Sequence, residues 1–292
     1  MIERIITCTN EDNVAITFRE RDFAPLVLED VDGIYKEENS VTTSENTMTD
    51  GSTYQGSVTK QRNIVITACS KDEHQSIRQL LYKCFKPKSY GTLLYEEGDE
   101  RRQIEYQVET VDPDTKGNVR HVVISLLCPD PFFIDLHDTT VTMAGWSANF
   151  TFQHQFTSVG EEMGTRQIDK IKVIENDSAA DNIGITVTIS ASGVVTNPAI
   201  YLVETGDKIQ IGTETKPLTL VSGDKVIITT GTNNKHVYLS HDGTKEEINE
   251  YLSEDSEFIQ LMRGTNSLGY EAASGDDYMT VTVSFRYRYL GC

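Results

Sequence analysis

Hydrophobic and polar positions alternate with period two along most of this chain, and one segment departs from that rhythm. Asn63-Ile64-Val65-Ile66-Thr67, Gln103 to Val111 and Val119 to Leu127 read as strands, with the last two joined by a turn over residues 112–118. Between the first strand and the other two, Ile77, Leu80, Leu81, Cys84 and Phe85 fall on one helical face. Ser70-x-x-Glu73 predicts a capping box at the start of that helix and Pro87 its end, giving an amphipathic helix of about four turns packed on a sheet. Ahead of it, residues 34–56 are polar and β-branched with glycine turns at either side. They predict a projecting loop or hairpin with too few apolar residues for a core strand.

The texture changes after Cys128-Pro129-Asp130-Pro131-Phe132-Phe133. Two prolines fix two φ angles and remove two backbone donors, so no ladder passes through, and the following aromatics need burial. The segment predicts a boundary between a domain over residues 1–133 and a second over 134–292. Beyond it, Phe150, Phe152, His154 and Phe156 alternate, as do Ile183, Ile185, Val187 and Ile189. Val226 to Thr229, His236 to Leu239 and Met279 to Tyr287 look similar, with turns at Ser222-Gly223-Asp224, Asp242-Gly243 and Gly275-Asp276. Many short strands with regular turns predict a β-sandwich, with one short helix over Lys245 to Leu252. The fold class is therefore mainly β with one clear helix.

Composition changes the picture in two places. The formal net charge of -19, from 26 basic and 45 acidic residues, argues against nucleic-acid binding, because neutralising phosphates needs clustered Lys and Arg. The lysines at 83, 86 and 88 instead suit the end of the helix. The five cysteines are dispersed without a C-x-x-C pair, which predicts reduced thiols in a chain made in cytoplasm. No signal peptide is expected at the start, and no segment approaches the roughly 18 apolar residues of a membrane span.

Candidate chemistry is sparse. His74, His121, His137, His154, His236 and His241 lack metal-binding spacing, and His154 reads as a packed ring in register with its aromatic neighbours. His241-Asp242-Gly243 reads as a turn. Asp112-x-Asp114-x-x-Gly117-Asn118 has a faint calcium-loop pattern, but Pro113 lies inside it and strands flank it, so a hairpin turn is the better reading. The acidic run Glu96 to Glu100 surrounds a glycine and reads as a solvated turn rather than a pair of catalytic carboxylates. Neither a nucleophile elbow nor a phosphate-cradling loop is present. No catalytic, cofactor or metal site is expected.

One order of signals runs along nearly the whole chain. It comprises Val31-Asp32-Gly33, Arg62-Asn63-Ile64-Val65-Ile66, the helix end Arg78-Gln79-Leu80-Leu81-Tyr82, Gly91-Thr92-Leu93 and the Cys-Pro-Asp-Pro-Phe-Phe stop. It continues through Asn197-Pro198-Ala199-Ile200, the Gly223-Asp224 turn and a closing tyrosine-rich strand. Together these resemble the distal tail proteins of long-tailed bacteriophages infecting Gram-positive hosts. The resemblance implies a split-barrel-like N-terminal ring domain with a belt hairpin at about 34–56, and a galectin-like β-sandwich displayed outside the ring. It implies a hexameric ring acting as hub between tail tube and tip or baseplate, with DNA passing through its channel. The implied partners are the tail tube protein, a tail-associated hub or lysin protein and receptor-binding proteins, with neither a membrane nor specific nucleic-acid binding. The implied location is the virion tail tip, after synthesis in the host cytoplasm. Ring contacts are expected from Ile34, Tyr35, Val41, Met48 and Tyr54.

Two other classes stay open at this point. The second domain could be a carbohydrate-binding adhesion module for the host wall, although a galectin-like fold does not make a lectin and Trp146 is the only tryptophan. A glycosidase or peptidase is the third.

Overall fold

The structure, a computed structural model, describes residues 3–21, 26–45, 50–70, 74–113, 120–148, 164–168 and 170–292. They form two compact units, Met1–Leu136 with Arg288–Cys292, and His137–Tyr287. The expected 134–292 span thus differs at both ends, because residues 134–136 and 288–292 are built into the first unit. The physical reason is pairing: Phe133 and Ile134 lie antiparallel to Tyr289 and Arg288.

The first unit contains β1 (Arg4–Asn10), β2 (Ala15–Arg19), β3 (Leu26–Asp32), β4 (Asn39–Glu45), β5 (Ser52–Thr59) and β6 (Arg62–Ser70). After α1 (His74–Cys84) come β7 (Tyr90–Glu97), β8 (Glu100–Pro113), β9 (Arg120–Cys128) and β10 (Phe133–Ile134). Seven strands in the order β8-β7-β1-β2-β3-β6-β9 close into a barrel, because β8 also pairs with β9. Closure removes the free edges that an open sheet would present. The period-two pattern places Ile6 and Cys8, Ile64 and Ile66, and Ile124 and Leu126 inside.

Helix α1 buries Ile77, Leu81 and Cys84, with Phe85 just beyond it. Phe85 meets Phe18 and Tyr106 at ring-centroid distances of 6.5 and 6.2 Å. Asn10, at the end of β1, donates from Nδ2 to the carbonyls of Lys83 and Cys84, at 3.1 Å each, and so satisfies the free carbonyls of the last helical turn. Ser70 closes β6, and residues 71–73 of the expected capping box lie outside the described residues.

Among the described residues of this unit, the Tyr106 hydroxyl is buried without a hydrogen-bond partner. An unpaired buried hydroxyl costs its desolvation without return. Tyr106→Phe should therefore leave stability unchanged or raise it, by up to about 1 kcal/mol, in chemical denaturation. A loss of more than that would show that the hydroxyl is satisfied in solution.

The second unit holds β11 (Thr139–Thr142), β12 (Ala144–Ala148), β13 (Gly164–Ile168), β14 (Ile171–Asn176), β15 (Asn182–Gly184), β16 (Thr186–Ala191), β17 (Val195–Leu202) and β18 (Lys208–Gln210). It continues with β19 (Thr219–Leu220), β20 (Lys225–Gly231), β21 (Asn234–His241), β22 (Thr244–Glu247), β23 (Gln260–Met262), β24 (Gly264–Ser274) and β25 (Met279–Phe285). One sheet runs β11-β25-β16-β20-β21-β22 and another β14-β24-β17-β18, with β19 on β17. Val187, Ile189, Val281 and Val283 from the first, and Ile174, Leu202 and Leu268 from the second, are buried as the core of a β-sandwich.

Two expectations are corrected here. The run from Ile183 to Ile189 is not one strand: β15 pairs with β23, whereas β16 joins the six-stranded sheet. Period two shows which side chains face inward but not which partner a strand takes. Residues 245–252 do not form one helix. Thr244–Glu247 pairs with β21, and only Asn249–Tyr251 makes a single 3-10 turn. Asn249 Oδ1 accepts from the Val237 N–H at 2.7 Å, tying that turn to the sheet. The alternating Phe150, Phe152, His154 and Phe156 lie outside the described residues.

Candidate assembly site

The least buried part of the first unit is the β4–β5 hairpin. Its strands pair from Asn39↔Thr59 to Glu45↔Ser52, with an irregularity between Thr42 and Thr43 that leaves Gln55 without an opposite residue. No described residue of it is buried. Val41 is 57% exposed, Tyr54 62% and Val58 71%. Its few side-chain hydrogen bonds are internal, Tyr54 to Ser57 at 2.9 Å and Gln55 to Ser44 at 2.8 Å. A two-stranded ribbon is marginal in water, and both outer edges present backbone N–H and C=O groups. Eight residues of β5 at a rise of ~3.4 Å make an arm of about 27 Å.

The base of the hairpin is the opposite case, densely tied. Asp32 Oδ1 accepts from the Gly33 N–H at 2.8 Å, and Gly33 has φ +91°. A Cβ there would lie 2.0 Å from the Asn63 carbonyl oxygen, so only glycine fits. The Lys60 N–H donates to the Glu38 carbonyl at 2.8 Å and closes the neck.

Beneath the neck lies Arg62, only 4% exposed. Its guanidinium donates to the carbonyls of Pro131 at 2.8 Å, Gly33 at 2.6 Å, Ile34 at 2.8 Å and Lys36 at 3.1 Å, and also to the Leu290 carbonyl. It sits 5.1 Å from the centroid of the Phe133 ring. Burial pulls its pKa down, and Glu37 opposes that shift. A cleft of about 290 Å³ opens beside it, walled by Asp32, Glu37, Lys60, Leu127 and Pro131.

A second knot holds Tyr35. Its hydroxyl donates to Glu97 at 2.6 Å and lies 3.1 Å from the Tyr95 hydroxyl, which donates to Glu97 at 2.9 Å. Burial raises the Tyr35 and Tyr95 pKa values, and hydrogen bonding to Glu97 adds to it. The bonds from Tyr35 and then Tyr95 hold the Glu97 carboxyl below its ordinary value. Glu97 thus stabilises the fold fully above the ordinary carboxylate pKa of about 4.3, and that contribution is lost as pH falls through the depressed value. The stability gap between wild type and Glu97→Gln should be widest at neutral pH and narrow at about pH 3, in denaturant titrations at both. A gap independent of pH would contradict the knot.

Of the residues expected at a ring contact, Val41 and Tyr54 lie on the exposed hairpin, and Tyr35 at its base is 58% exposed. Ile34 is corrected: it is buried in the core of its own barrel and has no exposed face to offer. Met48 lies outside the described residues. Arg62 was not among the expected residues, although a lone arginine at the head of an apolar strand was the visible signal. Glu97, expected in a solvated turn, is the acceptor of the tyrosine knot. In the second unit, His241 lies 2.5 Å from Asp224, which raises its pKa, and the Asp242-Gly243 turn has φ values of +46° and +79°. Among the described residues no three His, Cys, Asp or Glu side chains cluster as a metal site, and all five cysteines are free thiols.

Residues 18–128 match the family model for the phage tail protein RIFT-related domain, and residues 178–289 match that for the siphovirus-type tail component, C-terminal domain. The chain belongs to the siphophage distal tail protein family. Members of this family are structural components of phage tails. The crystal structure of the distal tail protein of phage SPP1 superposes with a TM-score of 0.67 at 13% identity, covering 98% of this chain and 99% of that one. It is described as a paradigm of the hub adsorption apparatus in phages infecting Gram-positive hosts. A chain of the phage P2 baseplate, in its calcium-activated conformation, gives a TM-score of 0.56 at 10% identity over the full length of both. These two likenesses establish the shared fold. No curated protein matches the chain by sequence.

Proposed function

We propose that this chain closes into a hexameric ring through its β4–β5 hairpin and acts as the hub between tail tube and tip or baseplate, where it supports host-adsorption proteins. The observation that carries the reading is the contrast between a bare ribbon and its rigid base. No described residue of its own unit buries the ribbon, so a neighbouring copy is what would give its edges and apolar side chains a partner. Val41, Tyr54 and Val58 are the residues placed to make that contact. The tail tube protein, a tail-associated hub or lysin protein and receptor-binding proteins are the partners of such a hub, and the virion tail tip, reached after synthesis in the host cytoplasm, is its place.

The charge of -19 fits this role. Carboxylates lining a channel repel passing DNA, whereas basic residues would hold it. Mass photometry of the purified chain tests the ring, with a species of about six times the 32.7 kDa chain mass as the expected result. A strict monomer at micromolar concentration would count against it.

A further inference from the structure

Three separate stretches of the first unit converge on one side chain. The Gly33, Ile34 and Lys36 carbonyls belong to the segment that launches the hairpin, Pro131 to the stop through which the chain leaves the unit, and Leu290 to the segment that returns to it. Arg62 binds all of them. The returning segment is itself held firmly. Tyr289 pairs with Phe133, Arg288 pairs with Asp130 and lies 4.6 Å over the Phe132 ring, and Arg102 lies 4.0 Å over the Tyr289 ring while binding Asp135 at 3.1 Å. Gly291 packs against the hairpin base, since a Cβ built there would lie 3.6 Å from the Ile34 carbonyl oxygen and the Tyr35 ring.

Among the described residues no carboxylate forms an ion pair with this guanidinium, so its role is not that of an ordinary ion pair. A planar fork with five N–H donors can bind carbonyls from several directions at once, whereas a lysine ammonium is a compact point charge that cannot reproduce that pattern. The launch segment is otherwise fixed by the Asp32–Gly33 turn before it and the Tyr35 knot within it, neither of which reaches Leu290 or Pro131.

We propose that Arg62 is the positioning residue for the assembly hairpin, and that the returning residues 290–292 complete its setting. The order of synthesis gives this a consequence. The hairpin base is made early and the Leu290 carbonyl only after all of the intervening second unit. A chain that has not finished its second unit and docked the returning segment therefore holds its hairpin loosely, and ring assembly waits for the complete fold. The part of this concerning assembly rests on the ring reading above; the part concerning the hairpin base does not.

The test compares wild type with R62K and with a chain ending at Tyr289, which keeps the Arg288–Tyr289 pairing and Arg62 but lacks the Leu290 carbonyl. Hydrogen exchange reads the hairpin base and mass photometry reads the ring. In both variants, exchange over residues 33–38 and 60–62 should quicken by about tenfold or more while β1 and β7 keep their wild-type rates, and the ring fraction should fall about tenfold. Wild-type exchange at the hairpin base in both variants would overturn the proposal. If R62K fails to fold, the shortened chain decides alone. If wild type forms no ring, the ring reading fails on its own, and exchange still decides the role of Arg62.

Discussion

Arg62→Ala should cost the first unit about 3 kcal/mol or more, the largest loss expected from a single substitution in this chain. The substitution removes the partner of five backbone carbonyls and leaves a void against Phe133. A buried acceptor left unpaired costs about 1–3 kcal/mol, and water entering from the adjoining cleft would recover part of that for the carbonyls nearest it. Arg62→Met keeps the apolar stem and should recover the packing part of the loss only. Chemical denaturation of the full chain, followed by probes in each unit, is the measurement. The first-unit transition should move and the second-unit transition should hold. A shift below about 1 kcal/mol would mean that those carbonyls are readily hydrated and that Arg62 is dispensable to the fold.

Replacing residues 39–59 with a short Gly-Ser turn should abolish ring formation while leaving the barrel folded. No described residue of the hairpin contributes to the barrel core, so its removal forfeits little buried apolar area. The melting temperature should change by only a few degrees, about the range of a 1 kcal/mol perturbation. A milder version, Tyr54→Ser with Val58→Ser, removes the two most exposed apolar side chains among the described residues of the arm without altering its backbone. It should weaken assembly by an order of magnitude or more if the pair sits near the centre of a contact. Intact rings after hairpin removal would move the interface elsewhere on the barrel.

The sequence carried some of this architecture plainly and concealed the rest, for physical reasons that differ by element. The helix was legible because Ile77, Leu81, Cys84 and Phe85 repeat at helical spacing, and local periodicity is a property of sequence alone. Ser70 of the expected capping box closes the β6 ladder opposite Arg120, and the rest of that box lies outside the described residues. The inward positions of the strands were equally legible. What a period of two cannot encode is the partner. The β6–β9 pairing, the division of Ile183 to Ile189 between two sheets, and the return of Arg288–Tyr289 to the first unit are all long-range choices made by packing.

The hairpin was visible as a polar, β-branched excursion bounded by glycine turns. The residues that make it an arm rather than a loop were only half visible. Val41 and Tyr54, expected at a ring contact, lie on the exposed hairpin, whereas Ile34, read as part of the excursion, is a core residue held between Gly33 and Tyr35. Arg62 was visible only as a lone arginine at the head of an apolar strand, and its role was not, since its five acceptors are backbone atoms from stretches as far away as Leu290. Backbone acceptors carry no residue identity, so a clamp of this kind cannot be recognised from side-chain patterns.

The central claim is that the hairpin closes copies of this chain into a ring, and electron microscopy of the purified protein tests it most directly. Class averages should show closed rings with sixfold symmetry, each hairpin laid against the next copy. Isolated particles of one chain, or open chains and dimers with the hairpin free, would contradict it.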